Sequence, residues 1–204
     1  MQEKWVEWSQ RLQSIVQIGL TFCGNTFDID RYKQIQQIAA EMISEHTNQN
    51  PELILDYFNK ETGYATPKVD TRGVVFKDDK ILLVREKIDN KWTLPGGWAD
   101  VCSSPSENVV REIFEESGYE TKTKRLLAVY DRALHGHKPD LPYHIYKMFF
   151  LCELTGGEAK TSIETSQIKF FGKEEIPELS NTRITEKQIQ RMYELKDLNV
   201  TDFD

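Results

Sequence analysis

The chain has 204 residues, with 26 Lys or Arg against 33 Asp or Glu, a formal net charge of −7. Its 39% hydrophobic content suffices for a packed core and excludes wholesale disorder, while the longest uninterrupted apolar run, residues 148–152, is far short of a membrane helix. The acidic balance weighs against a protein built mainly to hold nucleic acid, and three scattered cysteines (Cys23, Cys102, Cys152) weigh against a disulfide framework or a Cys-based zinc site. Residues 1–5 carry no apolar signal segment, so the expectation is a cytoplasmic protein that does not associate with membranes.

Trp5, Trp8, Leu12, Ile15, Gly19 and Phe22 recur at steps of three and four, one apolar stripe of a helix that Gly24 and Asn25 end. Ile35, Ile38 and Met42 mark a second helix, capped from Asp28 or Asp30. Asn50-Pro51 opens a third, with Leu53, Ile54, Tyr57 and Phe58 behind it. Three such helices bury little alone. The Trp5/Trp8 stripe therefore belongs either to an intramolecular hairpin or to an interface with a neighbouring domain or a second copy. Residues 59–67 hold a Gly and a Pro without periodicity and read as a linker. Beyond it the pattern changes to short strands. Segments 72–76 and 80–84 flank the turn Lys77-Asp78-Asp79, Trp92-Thr93-Leu94 precedes the break Pro95-Gly96-Gly97, and 126–132 and 145–154 follow, the last ending at a Gly156-Gly157 turn. A closing helix is marked by Ile184, Ile189, Met192 and Leu195. The organisation is a mixed α/β domain over 67–204 behind a small all-helical domain over 1–62.

One stretch carries chemistry. Ser104 stands three residues before Glu107 with Pro105 between them, a capping box with a proline start, and Gly118 suits the left-handed position that ends a helix. A helix over 105–117 follows, with Val109, Val110, Ile113 and Phe114 on its apolar side. Glu112, Glu115 and Glu116 fall at i, i+3 and i+4 and share the other side. Three carboxylates on one face suit a hard cation such as Mg2+, and Arg111 can bridge one of them and hold its rotamer. Gly96-Gly97 just ahead, lacking Cβ atoms, lets other groups approach closely.

The stretch 97–119 resembles the box of the Nudix hydrolases, written G-x5-E-x7-R-E-U-x-E-E-x-G-U with U a bulky apolar residue. Gly97, Arg111, Glu112, Ile113, Glu115, Glu116 and Gly118 match position by position. Cys102-Ser103 replaces the usual Gly-Glu pair, and Asp100 can supply part of the lost charge. The helical front and the ending from Phe170-Phe171 to Ser180 resemble a subgroup that carries an N-terminal domain and acts on nucleoside diphosphates linked to a second moiety, CDP-choline among them. The resemblance implies an α/β/α sandwich around a mixed sheet. It implies a pyrophosphohydrolase that uses Mg2+, with Mn2+ as a substitute, held by Glu112, Glu115 and Glu116. The substrate class is CDP-choline, ADP-ribose or a similar compound, and the assembly a homodimer.

Other residues are open to two readings. Glu164 is either the general base outside the box or an exposed loop acid. Arg72 and Arg85 either pair with phosphate or are plain strand arginines. His137, in the His135-Gly136-His137 loop, either touches substrate or sits in a flexible loop. Trp98, Tyr130 and Tyr143 are base-stacking surfaces or, better, core residues. Two further functions stay in view. One is a weakened Nudix domain that senses nucleotide, suggested by Ser103. The other is a hydrolase for RNA ends, served by Lys122, Lys124 and Arg125.

Overall fold

The computed structural model describes residues 3–47 and 49–204. The chain falls into two compact units. One takes in the residues before Lys68 together with Asp140–His144; the other comprises Lys68–Pro139 and Ile145–Asp204.

The first unit holds α1 (Lys4–Phe22), α2 (Thr26–Thr47) and α3 (Pro51–Asn59). Asn50 caps α3 by accepting the Glu52 N–H at 2.9 Å, with Pro51 in the first turn. The cap of α2 is neither expected aspartate but Asn25, whose Oδ1 accepts the Phe27 N–H at 2.9 Å. The inward face of α1 overlaps the sequence stripe only in part. Ala39, Ala40 and Ile43 of α2 form the unit's core with Ile54 and Phe58 of α3, Trp5 and Leu12 of the stripe pack against it, and Val6, Ser9, Gln13 and Val16, outside the stripe, are the buried residues of α1. Small and amide side chains make that seam: Ser9 Oγ donates to Ala39 O at 2.8 Å, and Gln36 Nε2 to Gln13 Oε1 at 3.3 Å. The larger apolar residues turn outward, Trp8, Ile15 and Phe22 being 50%, 58% and 60% exposed. No helix among the described residues is long and apolar enough to cross a membrane.

The second unit is a sheet between two helices. Its strands are β1 (Lys68–Lys77), β2 (Lys80–Glu86), β3 (Trp92–Thr93), β4 (Tyr119–Asp131), β5 (Ile145–Gly157), β6 (Thr165–Phe171) and β7 (Asp202–Phe203), with α4 (Pro105–Ser117) and α5 (Glu186–Leu195). The strand order is β3-β2-β1-β5-β4-β7, with β6 also on β2. β1 pairs parallel with β5, and β4 antiparallel with β5. Asp78 and Asp79 both adopt positive φ, the geometry of a tight hairpin between Lys77 and Lys80. Alternation sorts the core into two layers: Val74, Leu83 and Phe149 face Ile189 and Met192 of α5, while Val75, Leu82 and Phe150 face Val109 and Ile113 of α4. This is the expected α/β/α sandwich with a mixed sheet.

Two expectations need correction, and one strand is new. Gly156 and Gly157 do not follow β5 as a turn but close it, paired with Glu120 and Tyr119. Phe114 is exposed rather than packed on the sheet. β6 lies in a stretch of alternating polar residues that carries no apolar run, and it pairs along β2 from Ile81 to Glu86.

Candidate active site

The helix α4 begins and ends where its sequence dictates. Ser104 Oγ accepts the Glu107 N–H at 3.2 Å and Glu107 returns a carboxylate to the Ser104 N–H at 2.8 Å; Gly118 takes φ +75°. The loop before it, residues 94–104, is tied to β1 by backbone hydrogen bonds: Gly73 N–H to Pro95 O, Thr71 N–H to Gly97 O, each 2.8 Å, and Ala99 N–H to Val69 O at 2.9 Å. Gly96 has φ +133°, and a Cβ there would lie 2.1 Å from Thr71 O, so no side chain fits. Its N–H donates to Glu116 Oε2 at 3.0 Å. A Cβ on Gly97 would lie 3.3 Å from Glu112 Oε2. The two glycines thus bring the loop onto two of the glutamates.

Asn108, fully buried in the first turns of α4, organises the rest of the loop. Its Oδ1 accepts the Asp100 N–H at 2.9 Å and Arg111 Nη2 at 3.1 Å, and its Nδ2 lies 3.4 Å from Ser103 O and 3.3 Å from Ser104 O. Ser103 itself is exposed. The helix start is held by Ser104, Glu107 and Asn108 without a glutamate at 103. Arg111 does more than bridge one acid: Nη2 reaches Asp100 Oδ2 at 2.7 Å and Glu112 Oε1 at 3.0 Å, and Nη1 donates to Glu115 Oε2 at 3.0 Å.

The three box glutamates share a side of α4 but not an environment. Glu115 is exposed, Glu112 half-buried and Glu116 buried. Burial pushes the Glu116 carboxyl up to about 8, against the Arg72 charge and the Gly96 N–H, with Glu86 and Glu112 adding repulsion. Burial likewise raises Glu112, opposed by Arg111 and assisted by Glu115. Glu86, at the end of β2, is raised by its burial although Arg183 Nε pairs with it at 3.2 Å. No three acidic, His or Cys side chains among the described residues are already gathered to hold a metal. The donor set still fits a hard divalent cation. Carboxylate oxygens from one helix face meet a glycine loop, and the buried carboxylates repel one another in a way that a cation relieves.

The remaining predicted residues divide. Glu164 is exposed, and its charge is felt by both Glu86 and Glu112. It directly precedes Thr165, whose Oγ1 donates to Glu116 O at 2.7 Å. Arg72 is neither a surface strand residue nor open to solvent: it is 4% exposed and forks onto Asp70. Arg85 donates to Asn90 O at 2.9 Å. His137 is buried, with Nδ1 2.9 Å from Asn181 O. Burial, reinforced by Lys147, pushes its pKa down to about 3, so it is a neutral interior residue. Trp98 is exposed, contrary to core packing, whereas Tyr130 is buried. Of the basic cluster, Lys124 pairs with Glu153 at 2.7 Å and Arg125 donates to Leu195 O at 2.6 Å.

Sequence reasoning missed Asn108, Asp70, Lys147 and Glu86. Two carried a signal. Lys147 interrupts an otherwise apolar strand, and Asp70 stands two residues from Arg72, on the same strand face.

Comparison with known proteins follows this geometry. A family model described as the NUDIX domain matches residues 67–192, and one described as a UDP-X-like, N-terminal oligomerisation domain matches residues 3–58. A Bacillus subtilis (strain 168) protein provisionally named an ADP-ribose pyrophosphatase is 45% identical over 194 residues, 95% of this chain and 93% of that protein. A crystal structure of a UDP-X diphosphatase is 32% identical, spans all of both chains and has a TM-score of 0.65. The structure of a Streptococcus suis 89-1591 ADP-ribose pyrophosphatase is 39% identical over 68% of this chain and 100% of its own, with a TM-score of 0.62.

Proposed function

The chain belongs to the Nudix hydrolase family, and from that premise we propose that it cleaves the diphosphate bridge of a nucleoside diphosphate-X to a nucleoside monophosphate and X-phosphate. The observation that carries this reading is Glu116: a buried carboxylate held by the Gly96 N–H, with Glu112 beside it at Gly97. ADP-ribose and UDP-linked compounds are the first substrates to try, given the names of the relatives, and CDP-choline belongs on the same panel.

Glu112, Glu115 and Glu116 would hold Mg2+, or Mn2+ in its place; when bound, the ion neutralises the diphosphate and orients a water for attack on phosphorus. The protein's own part is positioning. Arg111 keeps Glu112 and Glu115 on one side of α4. The Gly96 N–H fixes one Glu116 oxygen. Glu164, exposed on the loop ahead of β6, takes the proton of the attacking water, a role supported by its place beside Thr165 and its field at Glu112. Arg85 and His137 have no part in phosphate binding in this scheme. We assign residues 67–204 to the hydrolase and 1–62 to self-association as a homodimer, supported by the outward Trp8, Ile15 and Phe22.

The test is product release from ADP-ribose, UDP-glucose and CDP-choline, with and without Mg2+. Metal-dependent formation of a nucleoside monophosphate from at least one supports the reading; its absence from all three overturns it.

A further inference from the structure

Asp70 and Arg72 lie two residues apart on β1 and so on one face of the strand. Arg72 Nε and Nη2 donate to Asp70 Oδ1 and Oδ2 at 2.8 and 2.7 Å, a bidentate pair. Lys147, the register partner of Asp70 on β5, donates to Asp70 Oδ1 at 2.8 Å. The exposures are 6% for Asp70, 4% for Arg72 and 1% for Lys147. Two interior cations on one interior anion leave positive charge uncompensated, which is costly unless a second anion answers it. The acidic groups whose charge, when ionised, acts on Arg72 are Glu116 and Glu86.

The link is also mechanical. Arg72 Nη1 donates to Leu94 O at 3.1 Å. Leu94 stands two residues before Gly96, the donor to Glu116, and the same short stretch is fixed to β1 by the Gly73 and Thr71 N–H groups. One side chain therefore grips the strand beneath the loop, through Asp70, and the loop itself, through Leu94.

Resting on the functional reading above, we propose that Arg72 is a positioning residue: anchored by Asp70 and Lys147, it sets the 94–97 turn so that the Gly96 N–H points at the Glu116 carboxylate, and it does not bind substrate phosphate. Nε and Nη2 donate to Asp70 and Nη1 to Leu94, so three of the five N–H donors are used inside the protein. Lysine keeps the charge but cannot hold both anchors, because its ammonium is a single point without the planar fork.

The experiment compares the full-length wild type with Arg72→Lys and Glu116→Gln, reading the Gly96 amide proton shift by 15N NMR together with kcat and KM for ADP-ribose and Mg2+. A hydrogen bond to a carboxylate holds that amide proton downfield. In Arg72→Lys the Gly96 signal should move upfield toward its place in Glu116→Gln, with kcat down about tenfold and KM within about twofold. A risen KM with kcat kept and Gly96 unmoved would make Arg72 a substrate ligand and overturn the proposal, as would no change in any of the three. A wild type that hydrolyses no nucleoside diphosphate refutes the proposed reaction but not this role, which the Gly96 shift then decides alone. Should Arg72→Lys fail to fold, Arg72→Gln, whose amide ends where Arg72 Nε lies and so falls short of Leu94 O, is judged by the same upfield shift.

Discussion

Asn108 accepts the backbone N–H of Asp100 at 2.9 Å from inside the first turns of α4, so the loop that precedes the helix is folded against the helix's own interior face. The same amide reaches the carbonyls of Ser103 and Ser104 and the guanidinium of Arg111. One side chain thereby sets the loop path and the position of the arginine that sorts Glu112 from Glu115.

Asn108→Ala leaves the Asp100 N–H and the Ser103 carbonyl without their partner in a half-buried place, while Ser104 O keeps the backbone N–H of residue 108. Each such group costs on the order of 1–3 kcal/mol, and a loss of about 2–3 kcal/mol overall is expected after water enters the gap. Differential scanning calorimetry should record a melting temperature about 5–10 °C lower. A variant that melts within a degree of wild type would show that the loop is held by other means.

Glu116→Gln keeps the shape of the side chain and an oxygen for the Gly96 N–H while removing the charge. Turnover should fall by about 10³. The metal-free variant should melt no lower than wild type, because the buried carboxylate it replaces is held well above its ordinary pKa and is thus a burden when ionised. Retained turnover would remove Glu116 from the chemistry; a collapsed melting curve would mean that the lost activity reports unfolding.

The box helix was legible to the residue because its two ends are set by local chemistry: a serine cap with its glutamate and proline at one end, a left-handed glycine at the other. The inward face of α1 was legible only in part, through Trp5 and Leu12. Hydrophobic periodicity marks the side with the largest apolar groups, and here helix packing selects Ser9 and the alanines that face it, since small residues let two helices approach. Arg72 shows the same limit at the site. A strand arginine near a phosphate loop reads as a phosphate ligand until its partner is known, and Lys147 lies 75 residues further along the chain. β6 stayed hidden because Thr165, Ser166, Gln167 and Lys169 take their strand form from pairing with β2, not from their own preference.

His137 makes stability depend on pH. Its pKa lies near 3 in the folded state against about 6.5 in an unfolded chain, so unfolding takes up a proton in acid. Its contribution is complete above pH 6.5 and is lost as pH falls from there toward 3, at up to about 1.4 kcal/mol per pH unit. Asp70, held near 2 by Arg72 and Lys147 in spite of its burial, acts in the same direction but only below about 4. Between pH 7 and 4.5 the raised carboxyls, Glu116 above all, act in the opposite direction, so the histidine is read from the difference between two proteins. Urea midpoints should show His137→Gln gaining stability relative to wild type as pH falls over that range, and equal slopes would show that His137 is protonated in the fold.

The outward stripe of α1 predicts the last result. Trp8, Ile15 and Phe22 lie along one side of the helix, each at least half exposed, while Trp5 and Leu12 pack against the core of the helical unit. A patch of this kind is stable in water only when covered, and a second copy of the same chain is the covering that the proposed homodimer supplies. A charge placed in the middle of it must be desolvated without a partner on association, which costs several kcal/mol and weakens the dimer by about 10² or more. Ile15 is the right position, because its side chain contributes nothing to the buried core of its own unit and the substitution should leave the fold intact. Light scattering on Ile15→Glu should therefore give the mass of a single chain at concentrations where wild type gives twice that, with unchanged helical circular dichroism. If Ile15→Glu elutes and scatters as wild type does, the stripe is not the interface and the helical unit associates, if at all, through another face.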